Sequence, residues 1–358
     1  MPVYPRVGRS TIKEVAAAAG VSTQTVSRVI NDRPDVSPET RKRVQDVIDR
    51  LGFQPSALAR SLIRQRSYTL GDVTAGLKYT GPSRTLSGIT SAAEEAGYSL
   101  LLKELPHFDA NNITPIFQRL ISRHVDGIIW AVPEVGDNRT WVNKLSLELE
   151  IPIVYLAMEP KEKICVVSIN NYLGGQLSVL HLLEQGYQHI GHISGPLEWW
   201  EARERKAGWN DVLKKANLEV KDEHWVEGNW SSSSGAQVIE TLFKQYPEMD
   251  AVFVANDQMA LSVMQYACKR GVCIPEDLGV VGFDGIPESA YYWPPLTTIQ
   301  QDQYNVGEVA VAEIINIIES GWQEQEPARP KSILLAPTLV VRQSSLRKKE
   351  KKGGGVGR

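Results

Sequence analysis

A chain of 358 residues, 42% apolar and 23% charged, is long enough for two or three globular units and has an ordinary soluble composition. No apolar run reaches the roughly 20 residues that a membrane-spanning helix needs. The first residues, MPVYPRVGRS, lack the apolar region of a secretory signal. We therefore expect a cytoplasmic protein with no membrane partner. Cys165, Cys268 and Cys273 have no metal-ligand pattern around them, which predicts reduced thiols and neither a metal nor a cofactor.

The net charge of −3 conceals a basic N-terminal end. Residues 1–66 carry 12 Lys and Arg against 6 Asp and Glu, a balance of +6, whereas the rest of the chain carries 27 against 36, a balance of −9. A basic segment on an acidic body favours a polyanionic partner for that segment, although a solvated basic surface gives the same count.

The N-terminal stretch shows the three- and four-residue apolar spacing of helices and no β-rich run. Thr11 is placed to cap a helix over Ile12–Ala19, and Ser22 is placed to cap a second helix that ends near Ile30. Gly20 provides the tight turn between them. Two short helices joined by such a turn predict a helix-turn-helix.

The second helix presents a polar outer side. Short hydroxyl side chains suit phosphates and thymine edges, glutamine can pair with adenine, and arginine can pair with guanine. The residues of this outer side are Ser22, Thr23, Gln24, Thr25, Ser27 and Arg28. A small helical domain with a merely solvated polar face is the alternative. A third helix is predicted to begin at Pro38, capped by Ser37, and to run to Arg50.

From Leu70 onwards, short β-branched runs alternate with amphipathic helices, which predicts parallel sheets with helices on both faces. The candidate strands are Leu70–Thr74, Ser99–Lys103, Gly127–Val132, Pro152–Leu156, Val166–Ile169, Ile190–Ser194, Ala251–Ala255 and Leu278–Phe283. The candidate helices include Ser83–Ala96, Ile113–Arg123, Gly174–Gln185, Arg203–Ala216 and Gln258–Arg270. So many alternating strand–helix units predict two sheets and not one. Asp72 interrupts the first strand's apolar pattern, and we expect it at a sheet edge.

Several sequence blocks resemble one family. TIKEVAAAAGVSTQTVSRVIN and VSPETRKRVQDVIDRLGFQPSALARSL resemble the DNA-binding headpiece of the lactose-repressor/galactose-repressor (LacI/GalR) family, and VFVANDQMALSVM and LGVVGFDGIPESAYYWPPLTTIQQD are similar to later family blocks. The resemblance implies an all-α helix-turn-helix headpiece plus an α/β two-lobed periplasmic-binding-protein-like core with two parallel sheets. The implied domains are a headpiece at 1–53, a hinge helix and linker at 54–68, an effector-binding and dimerisation domain at 69–345 and a disordered tail at 346–358.

The resemblance also implies how DNA is bound. Thr23, Gln24 and Arg28 fall where the family reads base edges in the major groove. The segment Pro55–Leu62 matches the family's hinge helix, and Leu62 matches a leucine wedged between base pairs in the minor groove, as suits a binder that bends DNA. The full set of expected DNA contacts is Thr11, Ser22, Thr23, Gln24, Thr25, Ser27, Arg28, Asn31, Ala59 and Leu62. The expected partner is double-stranded DNA with a palindromic operator, bound by a homodimer.

For the effector, the resemblance implies five pocket residues whose chemistry suits a polyol. They are Arg205, Trp230, Asn256, Asp284 and Gln301. Each also has a plain structural reading: Arg205 on a solvated helix face, Trp230 in the core and Asp284 at the start of a turn. We expect Asp284 to be a binding carboxylate held ionised by Arg205, without the raised pKa of a catalytic acid.

The chain departs from the family's lactose-type pocket at several positions. Ala157 replaces a pocket aspartate, Trp130 replaces a pocket asparagine, and Glu201 and the pair Trp199-Trp200 occupy a segment that is small and polar in that pattern. The two aromatic gains still favour a sugar effector.

The residues predict a ligand-responsive, sequence-specific DNA-binding transcription regulator, and the resemblance implies a repressor of sugar utilisation released by a sugar. No GxSxG, HExxH or P-loop pattern is present, so we expect no enzyme. Three alternatives stay open: the same DNA-binding role with a purine or other co-repressor, a sugar-binding transport protein, and a sugar-modifying enzyme. The transport protein would need an export signal and has no use for the headpiece, and the enzyme would need a catalytic acid–base pair.

Overall fold

The computed structural model describes residues 10–53, 66–108, 113–136, 151–322 and 331–347. The chain divides into two compact units, residues 1–68 and 69–358. The segment 54–65 lies outside the described residues, and with it lie the predicted hinge helix Pro55–Leu62 and its expected DNA contacts Ala59 and Leu62.

Within residues 10–53, the smaller unit has three short helices: α1 (Ile12–Ala19), α2 (Thr23–Ile30) and α3 (Pro38–Leu51). Local chemistry fixes where each begins. Thr11 and Glu14 form a capping box at α1, and the hydroxyls of Ser22 and Ser37 accept a backbone N–H in the first turn of α2 and α3. The predicted caps are confirmed, and the predicted helix ends are confirmed to within one residue. Interlocking apolar side chains bury the inner faces of the helices.

The larger unit contains two six-stranded sheets, one in each of two lobes. The first has the order β11-β5-β4-β3-β1-β2, and the second has the order β12-β10-β9-β8-β6-β7. The strands of the first lobe are β1 (Thr69–Ala75), β2 (Ser99–Leu105), β3 (Gly127–Ala131), β4 (Ile153–Leu156), β5 (Cys165–Ile169) and β11 (Ser332–Leu335). Those of the second lobe are β6 (Ile190–Ser194), β7 (Trp225–Glu227), β8 (Ala251–Val254), β9 (Gly279–Asp284), β10 (Thr297–Gln300) and β12 (Thr338–Val340). All described pairings are parallel except that of β12 with β10.

Helices flank both sheets. The described helices of this unit are α4 (Thr80–Glu95), α5 (Thr114–Ile121), α6 (Asn171–Glu184), α7 (Trp200–Lys215), α8 (Ser232–Gln245), α9 (Asp257–Lys269) and α10 (Gln303–Trp322). The chain passes between the lobes after β5, after β10 and after β11, so neither lobe is a continuous segment. Among the described helices, none combines the length and apolar character of a membrane span.

All eight predicted strands and all five predicted helices are confirmed, with shifted ends. Four further strands, β7 and β10 to β12, and two helices, α8 and α10, were not predicted. The effector-binding domain was predicted to end at residue 345, but the described chain continues to Arg347. Arg347 donates to the backbone oxygen of Gly186 at 3.1 Å and lies 3.4 Å from Asp250, so it packs on the second lobe.

The expected edge position of Asp72 is wrong. Asp72 lies on β1, which is hydrogen-bonded to β2 on one side and β3 on the other, and its side chain is fully buried. Neither carboxylate oxygen has a hydrogen-bond partner within the described part of the chain. Burial therefore raises the pKa of Asp72 to about 7.

Candidate functional site

A cavity of about 570 Å³ lies between the two lobes of the larger unit. Its volume falls in the range of about 300–1,000 Å³ that is usual for small-molecule sites. The strands β1 to β10 each contribute a lining residue at or beyond the carboxyl end, where parallel α/β sheets bind ligands. These residues are Tyr79, Phe108, Ala131, Leu156, Asn171, Trp199, Trp230, Asn256, Asp284 and Gln301.

Asp284, Arg205 and Gln301 form a cluster, the Asp284 cluster, on the second lobe's side of the cavity. Asp284, at the end of β9, accepts a hydrogen bond of 2.6 Å from Gln301 Nε2 at Oδ1, and Arg205 Nη1 lies 3.5 Å from the same oxygen. Buried Arg205 also donates to Asn171 Oδ1 at 2.8 Å and to the backbone oxygen of Ala255 at 2.5 Å. No described residue donates to Asp284 Oδ2, so a fixed carboxylate is available to a ligand that carries hydroxyls.

Burial governs the protonation of this carboxylate. Desolvation raises the pKa of Asp284 to about 6, although the Arg205 guanidinium and the Gln301 amide both act in the opposite direction. The expectation that Arg205 would prevent a raised pKa is therefore wrong, because the depth of burial could not be judged from the sequence. At pH 7 the group remains mostly ionised and able to accept hydrogen bonds.

Trp230 and Asn256 are structurally linked. Asn256 Nδ2 donates to the backbone oxygen of Trp230 at 2.9 Å, while its Oδ1 accepts from Met259 N at 2.9 Å and caps α9. The Asn256 side chain therefore positions Trp230 and retains one N–H for a ligand.

Three cavity residues have left-handed backbone conformations that are uncommon outside glycine. Trp230 has φ +71°, Asp284 has φ +112° and Ala157 has φ +55°. Each such conformation costs of the order of 1–3 kcal/mol, and strained residues cluster at ligand sites because the surrounding structure holds them there. Strain at three positions of one cavity supports a binding role for it.

A chain of polar contacts leads from the Asp284 cluster into the first lobe. Gln303 Nε2 donates to Gln301 Oε1 at 2.9 Å, and the Thr85 hydroxyl donates to Gln303 Oε1 at 2.9 Å. Thr85 belongs to α4 of the first lobe, whereas Gln301 holds Asp284 in the second. A ligand that displaces Asp284 or Gln301 therefore acts on a contact shared by both lobes.

Sequence reasoning missed several lining residues. Tyr79, Phe108, Asn171, Gln258 and Gln303 were not singled out, and Glu201 and Trp199 were noted only as departures from a pattern. Tyr79, Phe108, Asn171 and Gln258 lie two to four residues beyond strands that were predicted, so extending those strands would have found them. Gln303 follows β10, which was not predicted.

The expectation that Trp130 adds an aromatic ring to the pocket is wrong. Its side chain is 1% exposed and stacks on Phe117 with 5.5 Å between ring centroids, inside the first lobe's core. Successive strand residues point to opposite faces, and on β3 this turns Trp130 away from the cavity. Of the pair Trp199-Trp200, Trp199 lines the cavity and Trp200 is buried.

The helix α2 of the smaller unit divides its side chains as a DNA-reading helix would. Val26 and Val29 are buried, whereas Thr23, Gln24 and Arg28 are exposed. Arg28 Nη1 lies 3.4 Å from Asp35 Oδ2, with both side chains about half exposed (48% and 53%), so the pair is screened and easily opened.

Other expected DNA contacts have roles at the helix ends. Thr11 and Ser22 are N-caps, and the Ser22 hydroxyl also lies 2.9 Å from Thr25 Oγ1. Asn31 Nδ2 donates to the backbone oxygen of Ser27 at 2.8 Å at the end of α2. These side chains shape the helix whether or not they also touch DNA.

A helix-turn-helix unit and a two-lobed α/β unit with a cavity at its strand ends define a DNA-binding regulator with a ligand-binding core. A family model for bacterial regulatory proteins of the lacI family matches residues 11–56, and one for the periplasmic binding protein-like domain matches residues 179–345. The chain is 32% identical to the HTH-type transcriptional repressor PurR of Mannheimia succiniciproducens, over 94% of this chain and 98% of the relative. It is 31% identical to the lactose operon repressor of Escherichia coli, over 94% and 91%.

The solved structures agree with the sequence relatives. A lac repressor dimer bound to operator and the anti-inducer ONPF superposes with a TM-score of 0.82 and 30% identity, over 95% of this chain and 100% of that chain. The chain therefore belongs to the LacI family of bacterial regulatory proteins. The predicted fold and the predicted class, a ligand-responsive DNA-binding transcription regulator, are confirmed, and the named relatives are transcriptional repressors.

Proposed function

We propose that the protein represses genes of sugar utilisation and is released from its operator by a sugar. One observation carries this proposal: a carboxylate fixed by Arg205 and Gln301 lines the same cavity as the indole of Trp230. The carboxylate can accept two adjacent hydroxyls, and an indole face suits the C–H side of a sugar ring. The similarity to a lactose operon repressor supports the same ligand class.

The proposed assembly is a homodimer on a palindromic operator in the cytoplasm. One headpiece offers too small an interface for useful specificity, and a two-fold axis doubles it. The similar lac repressor structure is a dimer on its operator. Tyr291 and Trp293, which are 88% and 90% exposed, supply large apolar side chains for a partner surface.

The proposal is tested with operator DNA selected from a random duplex library. Adding the right sugar should release the DNA. It should also raise the melting temperature of the free protein, because a ligand at 100 times Kd increases the free energy of unfolding by about 2.7 kcal/mol. Incubation of the bound sugar should give no new product, because the cavity acts by binding alone. Stronger operator binding with adenine or guanine would instead support the co-repressor alternative, and turnover of the sugar would support an enzyme.

Arg28 is predicted to read a guanine. Arg28→Ala should weaken operator binding by about 1–3 kcal/mol and flatten the base preference at one position of each half-site. Asp35→Ala is the matched control, since it removes the ion-pair partner and leaves the guanidinium in place. Binding to a library of single-base operator variants distinguishes the roles, because a loss that is uniform across all substitutions would mean that Arg28 contacts only phosphate.

A further inference from the structure

We propose that the cavity has a second subsite, built from aromatic side chains, which takes the second ring of a disaccharide or longer glycoside. This inference rests on the sugar-responsive function proposed above. It concerns the part of the cavity beyond the Asp284 cluster, where this chain departs from the family's lactose-type pattern at Trp199 and Glu201.

Four aromatic rings form a continuous row along the cavity. Tyr79 stacks on Phe108 with 6.1 Å between centroids, Phe108 meets Trp199 edge to face at 4.9 Å, and Trp199 meets Trp230 edge to face at 5.9 Å. All four line the cavity. We expect a single hexose bound at Asp284 to leave most of this row uncovered, whereas a second ring would extend along it.

The row is held in place by two close backbone approaches. A Cβ added at Gly195 would lie 2.2 Å from the indole of Trp230, and one added at Gly76 would lie 2.5 Å from the ring of Phe108. Each ring therefore packs directly on a glycine backbone, which fixes its plane. Rings fixed in advance bind a ligand without losing side-chain freedom on binding.

Polar groups accompany the row. Glu201 Oε2, Gln258 Oε1 and Trp230 Nε1 are buried and have no hydrogen-bond partner within the described part of the chain, and all three residues line the cavity. Buried polar atoms without a partner are few in native structures. Three of them around one cavity indicate a ligand with several hydroxyls, which can both donate to the two oxygens and accept from the indole N–H.

The row also spans both lobes. Tyr79 and Phe108 follow β1 and β2 of the first lobe, whereas Trp199 and Trp230 follow β6 and β7 of the second. A second ring on this row contacts both lobes at once, so its affinity depends on how the two lobes are arranged. Such differential affinity is what a ligand needs in order to shift a two-state equilibrium.

The test uses the full-length protein and tryptophan fluorescence or calorimetric titration with cellobiose, maltose and lactose, and with glucose and galactose. One disaccharide is expected to bind at least tenfold more tightly than either hexose. Trp199→Ala should weaken that disaccharide about 10–100-fold, the effect of removing an aromatic anchor, and should change hexose affinity less than about threefold. Trp199→Phe keeps an aromatic ring and should retain most of the disaccharide affinity. Such retention would show that the loss in Trp199→Ala comes from removing the ring.

Glu201→Gln is paired with Glu204→Gln, a carboxylate on the same helix α7 that is not among the cavity-lining residues. Only the Glu201 variant should lose disaccharide affinity. Hexoses that bind as tightly as every disaccharide, with Trp199→Ala unchanged, would overturn the second subsite and leave the sugar-responsive function intact. Binding of adenine or guanine in place of all five sugars, or no binding by any of these seven compounds, would overturn both.

Discussion

Asp284→Ala is expected to abolish the sugar response while operator binding in the absence of sugar stays within about threefold of the wild type. The variant removes the carboxylate that Gln301 and Arg205 hold in the cavity. Two hydrogen bonds from sugar hydroxyls to a charged acceptor are each worth about 1.5–3 kcal/mol. Their loss corresponds to an affinity drop of roughly 100-fold or more.

Asp284→Ala leaves the buried Arg205 guanidinium without its ion-pair partner, so thermal unfolding of the variant is measured alongside as a folding control. The guanidinium keeps the hydrogen bonds to Asn171 and to the backbone oxygen of Ala255, so the cavity wall is expected to stay in place. Sugar titration of the operator complex measures the response, and the unliganded complex is the internal control. If Asp284→Ala releases operator at the wild-type sugar concentration, the ligand does not use this carboxylate and the cluster is not the binding site.

The pKa of Asp284 gives the same prediction a pH dependence. Because burial raises that pKa to about 6, lowering the pH from 7 to 5 protonates the acceptor and competes with the sugar hydroxyls. Wild-type sugar affinity should therefore fall by up to about tenfold over this range, since each pKa unit corresponds to about 1.4 kcal/mol. Asp284→Asn has no proton to gain and should show weak affinity at both pH values.

Asp72→Val is expected to stabilise the protein at pH 4, because it removes a buried polar group without a partner, and to stabilise it by about 3 kcal/mol more at pH 8. Asp72 is fully buried on an interior strand, and neither of its carboxylate oxygens has a hydrogen-bond partner in the described ranges. Its pKa is raised from 3.8 to about 7 by burial. Valine has one side-chain heavy atom fewer than aspartate and is favoured in strands.

The direction of this pH effect depends on which state, folded or unfolded, holds the proton of Asp72. Between pH 4 and pH 7 the folded state binds a proton that the unfolded state has lost, so the free energy of unfolding decreases as pH rises. The decrease is about 1.4 kcal/mol per pH unit and totals roughly 3–4 kcal/mol by pH 8. Replacing Asp72 removes this decrease in the free energy of unfolding. Other buried acids such as Asp257 contribute equally to the wild type and the variant, so the difference between the two proteins reports Asp72 alone.

Urea unfolding of the wild type, Asp72→Val and Asp72→Asn at pH 4 and pH 8 measures the effect. The Asn variant removes the titration but leaves a buried polar group, so its gain at pH 8 should be smaller than that of Val. A stabilisation by Val of equal size at both pH values would show that Asp72 is not the carboxyl whose protonation matters.

The sequence by itself determined the local features of the chain. Capping residues and apolar spacing fixed α1 to α3 almost to the residue, because a helix end depends on side chains within one turn. The eight predicted strands followed from short apolar runs, because a strand buried on both faces is apolar throughout. The partly exposed edge strand β2 showed three consecutive leucines instead. Resemblance to the family then indicated Arg205, Asp284 and Gln301, and the structure brings these three into one cluster.

Tertiary structure alone decided what depends on distant parts of the chain. The short strands β7 and β10 to β12 were missed because so few residues carry little pattern, and their neighbours in the sheets make them strands. The direction of the Trp130 side chain, the burial of Asp72 and the raised pKa of Asp284 depend on which elements pack around each residue. The aromatic row joins residues from Tyr79 to Trp230 because two sheets place their carboxyl ends at one cavity. Desolvation and packing are properties of the assembled neighbourhood, which no local stretch of sequence contains.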